Sequence, residues 1–142
     1  ALHYASYFGS EEFVQLLLSN NKIDINIQNK DGDTALHRAS IRGHVKIVKL
    51  LLSYSNLDIN IQNNDGWTAL HYASYFGSEE FVQLLLSNNK IDINIQNKDG
   101  DTALHRASIR GHVKIVKLLL SYSNLDINIQ NNDGWTALHY AS

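Results

Sequence analysis

Histidine is the residue type most capable of chemistry in this sequence, and four histidines recur at a fixed spacing. They are His37, His71, His105 and His139, whose sequence numbers rise in equal steps. Two imidazoles that share a zinc ion must each bring a nitrogen to within about 2.1 Å of it. Copies carried on packed helices roughly 8–10 Å apart cannot do so. The spacing therefore argues against a shared metal site and favours a structural role for these side chains.

Other patterns that could carry chemistry are incomplete. Residues 29–33 read Asn-Lys-Asp-Gly-Asp, with Gly fourth, whereas a calcium-binding EF-hand loop needs Gly sixth and Glu twelfth. Glu79 and Glu80 are adjacent, so on a helix they point to different sides and cannot share a proton. Cysteine and Gly-rich phosphate-binding loops are absent from the sequence. We predict no enzymatic activity, no catalytic residue, no cofactor and no metal.

Composition and charge narrow the class of protein further. The length of 142 residues and the hydrophobic fraction of 44% fit a soluble folded domain. Apolar runs reach only three residues, against the roughly 20 that a membrane-spanning helix needs. A net charge of −2, without any Lys/Arg run, predicts neither nucleic acid nor a membrane as partner. We expect an intracellular, cytoplasmic protein, and the absence of cysteine is compatible with that location.

The sequence is built from tandem repeats that come in pairs. Ala1–Ser74 is identical to Ala69–Ser142, so the sequence repeats exactly from Ala69 onward. A looser match appears when the sequence is shifted by half of that distance, which is the spacing of the four histidines. Such a period is typical of a solenoid, in which each unit buries its apolar face only against its neighbours. We predict a single array, 1–142. Its aromatic units, named for the first-helix residues, are 1–30 (partial), 65–98 and 133–142 (partial), and its arginine units are 31–64 and 99–132.

Each complete unit reads as a turn, a helix, a second helix and an extended segment. In 31–64, Asp31-Gly32 signals a turn, Thr34 can cap a helix over 35–42, and Gly43 ends it. A second helix over 44–52 carries its apolar residues on one side. Polar pairs such as Ser55-Asn56 are expected to supply a left-handed residue after it. Alternating polar and apolar residues at 58–62 predict a short extended segment.

These linked motifs resemble the ankyrin repeat, over essentially the whole chain. The family pattern of a Gly turn, Thr-Pro-Leu-His, Gly-His, a Val/Leu-rich helix and Asp-Val-Asn appears as Asp31–His37, Gly43-His44, Ile47–Leu52 and Asp58–Asn60, with Ala35 in place of Pro. The resemblance implies an all-α solenoid of stacked helix-turn-helix units with short β-turn/hairpin fingers. It also implies that the recurring His is structural and ties Thr and backbone groups at the turn. His44 and His112, at second-helix starts, are expected to be caps.

The resemblance further implies a protein–protein interaction module. In the resembled family, turn tips and the exposed face of the first helix form a concave groove that holds a protein partner. Binding hot spots favour Trp, Tyr and Arg, and the corresponding positions here are rich in all three. The candidate residues are Asp33, Arg38, Ile41, Arg42, Trp67, Tyr72, Tyr75, Phe76, Asp101, Arg106, Arg110 and Trp135.

Two alternatives remain open. The aromatic and Arg residues could serve stacking of the units themselves, with each Arg between rings of the equivalent position in neighbouring units. One such ladder is Tyr4, Arg38, Tyr72, Arg106 and Tyr140. The chain could also be a structural solenoid that associates head to tail, since neither end unit shows the polar outer face of a capping repeat. The exact duplication fits either a natural fragment of a longer array or a designed repeat.

Overall fold

Nine short α-helices account for the regular secondary structure in a computed structural model, which describes residues 1–141. No strand occurs within that range. None of its helices is both long and apolar enough to cross a membrane. The helices are α1 Leu2–Phe8, α2 Glu11–Leu18, α3 Ala35–Arg42, α4 Val45–Leu52, α5 Ala69–Phe76, α6 Glu79–Leu86, α7 Ala103–Ile109, α8 Val113–Leu120 and α9 Ala137–Ala141.

The helices form two layers that run along the array. The first helices α1, α3, α5, α7 and α9 each contact the next one, and the second helices α2, α4, α6 and α8 do the same. Between the layers lies one continuous apolar core, which includes Val48, Val82 and Leu119. This core runs along the whole array, with each unit buried against its neighbours, as the solenoid prediction required. The predicted all-α stack is confirmed.

The Thr-Ala-Leu-His motif starts the first helix as predicted. The Oγ1 atom of Thr34 accepts a hydrogen bond from the His37 backbone N–H at 3.3 Å, and His37 Nδ1 accepts one from the Thr34 N–H at 3.0 Å. Two backbone N–H groups that a helix start leaves without partners are thereby satisfied. The same reciprocal pair recurs at Thr68 with His71 and at Thr102 with His105.

The recurring histidine also joins each unit to the next. The Nε2 atom of His71 donates to the carbonyl of Asp101, which belongs to the following unit, at 2.9 Å. Because Nδ1 accepts the bond from Thr68, the neutral ring carries its proton on Nε2. Burial lowers the pKa of His71 from its usual 6.5 to about 4, and this effect outweighs the hydrogen bond to the Asp101 carbonyl, which raises the pKa. Burial lowers the pKa of His37 as well.

Glycine ends the first helix, but the histidine that follows in the arginine units is not a cap. Gly77 has a φ of 79°, and a Cβ there would lie 2.6 Å from Cε1 of His112 in the next unit. His112 and His44 occupy the N-cap positions of α8 and α4 without a side-chain capping bond. Instead, His112 Nε2 lies 2.9 Å from the Tyr75 carbonyl oxygen of the preceding unit. The predicted capping role is wrong because the ring crosses to that neighbour.

The end of the second helix also differs from the prediction. Among the described residues, only glycines have a positive φ, so Asn20-Asn21 and Ser55-Asn56 supply no left-handed residue. The helix closes through a tight turn instead. In the unit 31–64, the Oγ of Ser53 donates to the Leu50 carbonyl at 2.6 Å, and the N–H of Tyr54 donates to the Leu51 carbonyl at 3.2 Å. These bonds satisfy the terminal carbonyl groups without a left-handed residue.

The predicted extended segment at 58–62 is broken by a turn at 59–60. Asn60 N–H donates to Asp58 Oδ1 at 3.0 Å, a local bond typical of Asx turns. The segment meets the next unit through the Asn60 amide, which donates to the Lys90 carbonyl at 2.8 Å and accepts from the Asp92 N–H at 2.9 Å. Side-chain amides therefore replace the strand ladder that the alternating pattern suggested.

The β-turn finger between units is confirmed. The Asn63 N–H donates to the Trp67 carbonyl at 2.9 Å, and the Gly66 N–H donates to the Asn63 carbonyl at 2.9 Å. Asn64 N–H then donates to the Asp31 carbonyl of the preceding finger at 2.9 Å. The fingers 29–33, 63–67, 97–101 and 131–135 thus stack beside the starts of the first helices.

The lowered pKa of His71 makes acid weaken the fold. Between about pH 6.5 and 4, His71 takes up a proton in the unfolded chain and stays neutral in the folded one. The unfolded state therefore binds more protons, and the free energy of unfolding falls as the pH is lowered through this window. We expect urea midpoints to be constant above pH 7 and to decline below pH 6.5. His71→Gln should show a smaller decline of the urea midpoint. A decline as large as that of the unsubstituted chain would contradict this assignment.

Candidate protein-binding face

The structure divides the candidate binding residues into three groups by burial. Arg42, Phe76, Arg110 and Trp135 are exposed. Arg38, Ile41, Trp67, Tyr72, Tyr75 and Arg106 are half-buried. Asp33 and Asp101 are buried. We use the name first-helix face for the exposed or half-buried residues at the C-terminal ends of α1, α3, α5 and α7, apart from Tyr7 and Tyr75, whose rings pack on arginines of the next unit. Its members are Phe8, Ile41, Arg42, Phe76, Ile109 and Arg110.

Asp33 and Asp101 were expected at the solvent-facing turn tip, and that placement is wrong. Asp33 is only 4% exposed. Its Oδ1 accepts a hydrogen bond from Asn63 Nδ2 at 3.0 Å, and its Oδ2 lies 3.4 Å from Arg38 Nη1. Asp101 makes the same contacts with Asn131 at 2.9 Å and Arg106 at 3.1 Å. Both carboxylates are used inside the array, because the next finger closes over them.

Asn63 is a structural residue that the sequence analysis missed. Its Nδ2 donates both to Asp33 and to the Tyr72 hydroxyl, at 2.7 Å, while its Oδ1 accepts from the Trp67 N–H at 2.9 Å. One amide therefore joins an arginine unit to the aromatic unit that follows. The signal was present, since Asn recurs at each finger as Asn29, Asn63, Asn97 and Asn131. Burial raises the pKa of Tyr72, and the nearby charge of Asp33 raises it further, so the hydroxyl keeps its proton in this network.

The junction from an aromatic unit to an arginine unit has a different chemistry. Trp67 stands where the arginine units have Asp33, so the equivalent Asn97 has no carboxylate to bond. Within the described residues, Asn97 Nδ2 and Arg106 Nε are buried without a hydrogen-bond partner. Leaving such donors unpaired costs roughly 1–3 kcal/mol each. Aromatic contacts must offset this cost at this type of junction.

Those aromatic contacts are cation–π pairs. Arg106 Cζ lies 4.7 Å from the Trp67 ring centroid and 4.8 Å from that of Tyr75. Arg110 Cζ lies 4.7 Å from the Tyr75 ring, and its Nη1 donates to the Tyr75 hydroxyl at 3.2 Å. Such pairs contribute about 0.5–1 kcal/mol when exposed and more when desolvated. Trp67 and Tyr75 therefore have a role in stacking the units.

The rings involved are not those of the predicted ladder. Each Arg was expected beside Tyr or Phe at its own position in a neighbouring unit, such as Tyr72 or Phe76. The arginines rest instead on the preceding unit's Tyr75 or its copy Tyr7, which lies 4.5 Å from Arg38 Cζ and 4.8 Å from Arg42 Cζ. Tyr7 was missed as a candidate, although the identity of 1–74 with 69–142 makes it the copy of Tyr75.

The arginines differ in whether they have a carboxylate partner. Arg38 and Arg106 are paired with Asp33 and Asp101. In the described chain, no ion pair involves Arg42 or Arg110, and both are exposed. The described residues also contain no group of three or more His, Asp or Glu that could hold a metal ion. The site is thus a surface of rings, alkyl chains and two guanidinium groups that have no carboxylate partner among the described residues.

Stacked helix pairs with a turn finger between them define a helical solenoid that leaves its first helices open on one side. The family model described as ankyrin repeats (3 copies) matches residues 2–97 and again residues 89–142. The chain belongs to the ankyrin repeat family. A comparison with curated proteins found no match. Ankyrin repeats are generally protein–protein interaction modules, and the family typically provides scaffolds for interaction.

The two junction chemistries predict unequal effects of the same substitution. Asn63→Asp places a second buried carboxylate against Asp33, whereas at Asn97 no carboxylate is bonded to the amide. We expect Asn63→Asp to lower the free energy of unfolding by about 2 kcal/mol more than Asn97→Asp at pH 7. Urea unfolding of both variants measures the difference. Equal destabilisation would show that the two junctions do not differ in this way.

Proposed function

We propose that this chain binds a protein partner through its first-helix face and the adjoining turn tips. The observation that carries the proposal is the exposure of large apolar side chains beside arginines on that face. Phe76 is 54% exposed and Ile109 40%, whereas Ala73 and Ala107 of the same helices are buried. Aromatic and Arg side chains on a rigid scaffold are the residues that most often dominate binding energy.

The contacts within the array support different roles for the candidate residues in this proposal. Asp33, Arg38, Asp101 and Arg106 hold the units together, and so they support the face from behind. Trp67, Tyr72 and Tyr75 divide their surface between the neighbouring unit and solvent. The residues that we propose to touch the partner directly are Ile41, Arg42, Phe76, Ile109 and Arg110, with Trp135 at a finger tip.

A role without catalysis and a location inside the cell belong to the same proposal. The histidines, the residues best suited to catalysis, are occupied in structural bonds at the helix starts, as at His37 and His71. The absence of cysteine from the sequence is compatible with a reducing compartment.

Capture of partners should depend on the first-helix face. We expect Phe76→Ser combined with Ile109→Ser to lose most proteins that the immobilised chain captures from a lysate, since the apolar anchors are gone. Capture is measured by quantitative mass spectrometry. Neither side chain belongs to the buried core, so the circular dichroism spectrum and the melting temperature should stay close to those of the unsubstituted chain.

The matched control is Gln83→Ser combined with Lys117→Ser, on exposed positions of the second helices. It should capture the same proteins as the unsubstituted chain. The proposal would be contradicted if the Phe76/Ile109 variant still captured these proteins and the control variant did not. The binding surface would then lie on the second helices.

Self-association is a second candidate function, and it is favoured by a difference in exposure between two copies of the same leucine. Leu138 is 71% exposed, whereas its copy Leu70 is 2% exposed. We expect the mass of the 142-residue polypeptide in light scattering to rise with concentration, and Leu138→Glu to suppress the rise because the charge resists burial. A constant monomer mass up to millimolar concentration would contradict this candidate.

A further inference from the structure

We infer that the first-helix face recognises an acidic linear segment of a partner protein, one that presents two carboxylates, each beside an apolar side chain. The inference rests on the proposed function and adds the chemistry and spacing of the partner. It depends on the two arginines that the array leaves without a carboxylate.

The four arginines of the array form two classes, which differ in whether the guanidinium group has a carboxylate partner. Arg38 and Arg106 point toward the fingers and are neutralised by buried carboxylates. Arg42 and Arg110 lie one helical turn further along the same helices and are exposed, with aromatic rings as their described partners. The array therefore satisfies the charge of the first class internally and leaves the charge of the second class to solvent or a partner.

The exposed guanidinium groups are also held in place. Arg110 Cζ is 4.7 Å from the Tyr75 ring centroid, and Nη1 donates to the hydroxyl of the same Tyr at 3.2 Å. A guanidinium packed on a ring keeps in-plane N–H groups free, and a carboxylate can accept two of them in parallel. Because the side chain is already ordered, binding costs less conformational entropy than it would at a free Arg.

An exposed phenylalanine follows the tyrosine on which each of these guanidinium groups packs. Phe76 follows Tyr75, with ring centroids 5.2 Å apart, and Ile109 precedes Arg110; Phe76 and Ile109 are exposed. A partner side chain that only met charge would gain little affinity, because exposed ion pairs contribute little to binding. A carboxylate next to an aromatic or aliphatic group would gain both the hydrogen bonds and the burial.

Among the described residues, a similar arrangement occurs two units earlier in the array, where the arginine packs on the tyrosine ring without a bond to its hydroxyl and Ile41 is half-buried. There Arg42 Cζ lies 4.8 Å from the Tyr7 ring, and Phe8 is exposed beside it. The junction between the two sites has the Asn63–Asp33–Tyr72 network instead. Two steps of helix packing at roughly 8–10 Å each place the sites roughly 16–20 Å apart. An extended peptide covers that distance in about six residues at about 3.3 Å each.

The fingers restrict which anionic partner fits. Asp65 and Asp99 are exposed at the finger tips, alongside the exposed Lys98, so both signs of charge border the face. The chain as a whole carries a net charge of −2. A polyanion with charge along its whole length, such as a nucleic acid, would meet repulsion at the tips, whereas two separated carboxylates would not.

The test uses a fluorescein-labelled peptide with two Glu-Phe pairs whose glutamates are about six residues apart, with Ser and Gly elsewhere. Comparison peptides carry one pair, or Gln in place of both Glu. Fluorescence anisotropy with the full 142-residue chain should show the two-pair peptide binding at least about tenfold more tightly than the one-pair peptide, since the second contact is intramolecular. The Gln peptide should bind at least about tenfold more weakly than the two-pair Glu peptide.

Variants of the chain assign the effect to the two arginines. Arg42→Gln or Arg110→Gln alone should reduce the affinity for the two-pair peptide to that for the one-pair peptide, and the double variant should abolish binding. Lys117→Gln, a charge-matched change on a second helix, should leave the affinity unchanged. Equal binding of the Gln and Glu peptides to the unsubstituted chain would overturn the inference, whatever the fold of any variant.

Other outcomes are also decisive. Competition of the two-pair peptide by a DNA oligonucleotide of equal charge would show a general polyanion surface and overturn the inference. Failure of all peptides, together with continued dependence of lysate capture on Phe76 and Ile109, would leave the proposed function standing and refute only the acidic chemistry. If capture were also independent of Phe76 and Ile109, the proposed function itself would fail.

Discussion

The bond from the repeated histidine to the next finger's carbonyl is the interaction on which the array depends. His71 holds the start of its own helix through Thr68 and reaches the Asp101 carbonyl of the following unit. One buried, neutral ring therefore fixes both the helix N-terminus and the position of the neighbour. Since His37 and His105 repeat the contact at Trp67 and Trp135, local helix initiation and long-range stacking cannot be separated in this fold.

On this common framework, two kinds of junction alternate. Where an arginine unit precedes an aromatic unit, the Asn63 amide links Asp33 to the Tyr72 hydroxyl. Where the order is reversed, arginines stack on Trp67 and Tyr75 instead. The proposed partner surface follows from the second kind, because the Tyr75 ring that packs on Arg106 inside the array also packs on Arg110 at its edge. Stacking and recognition thus use neighbouring atoms of the same side chains.

The features of the fold that depend on local sequence were predictable. Thr34 caps its helix and Gly43 ends it. Both features were predictable because capping and a left-handed φ depend only on the type of the residue and on its immediate neighbours. The direction of a side chain toward another unit was not predictable. Asp33 was expected to be exposed because the repeat period shows only which residues recur. It does not show that Asn63 of the next finger covers the Asp33 carboxylate. Likewise, the position-by-position ladder placed Arg106 against the wrong rings, since an Arg side chain is long enough to reach a neighbouring helix turn.

Alternation of the junctions has a consequence for how such an array can change length. Loss of the unit 65–98 alone would bring 31–64 against 99–132, so Arg106 would lose Trp67 and Arg110 would face Ile41 in place of Tyr75. Loss or gain of two adjacent units restores every contact, because the chemistry returns with every second unit. The module by which this array can lengthen or shorten without losing contacts is therefore a pair of repeats, and the shift that relates Ala1–Ser74 to Ala69–Ser142 equals two repeat lengths.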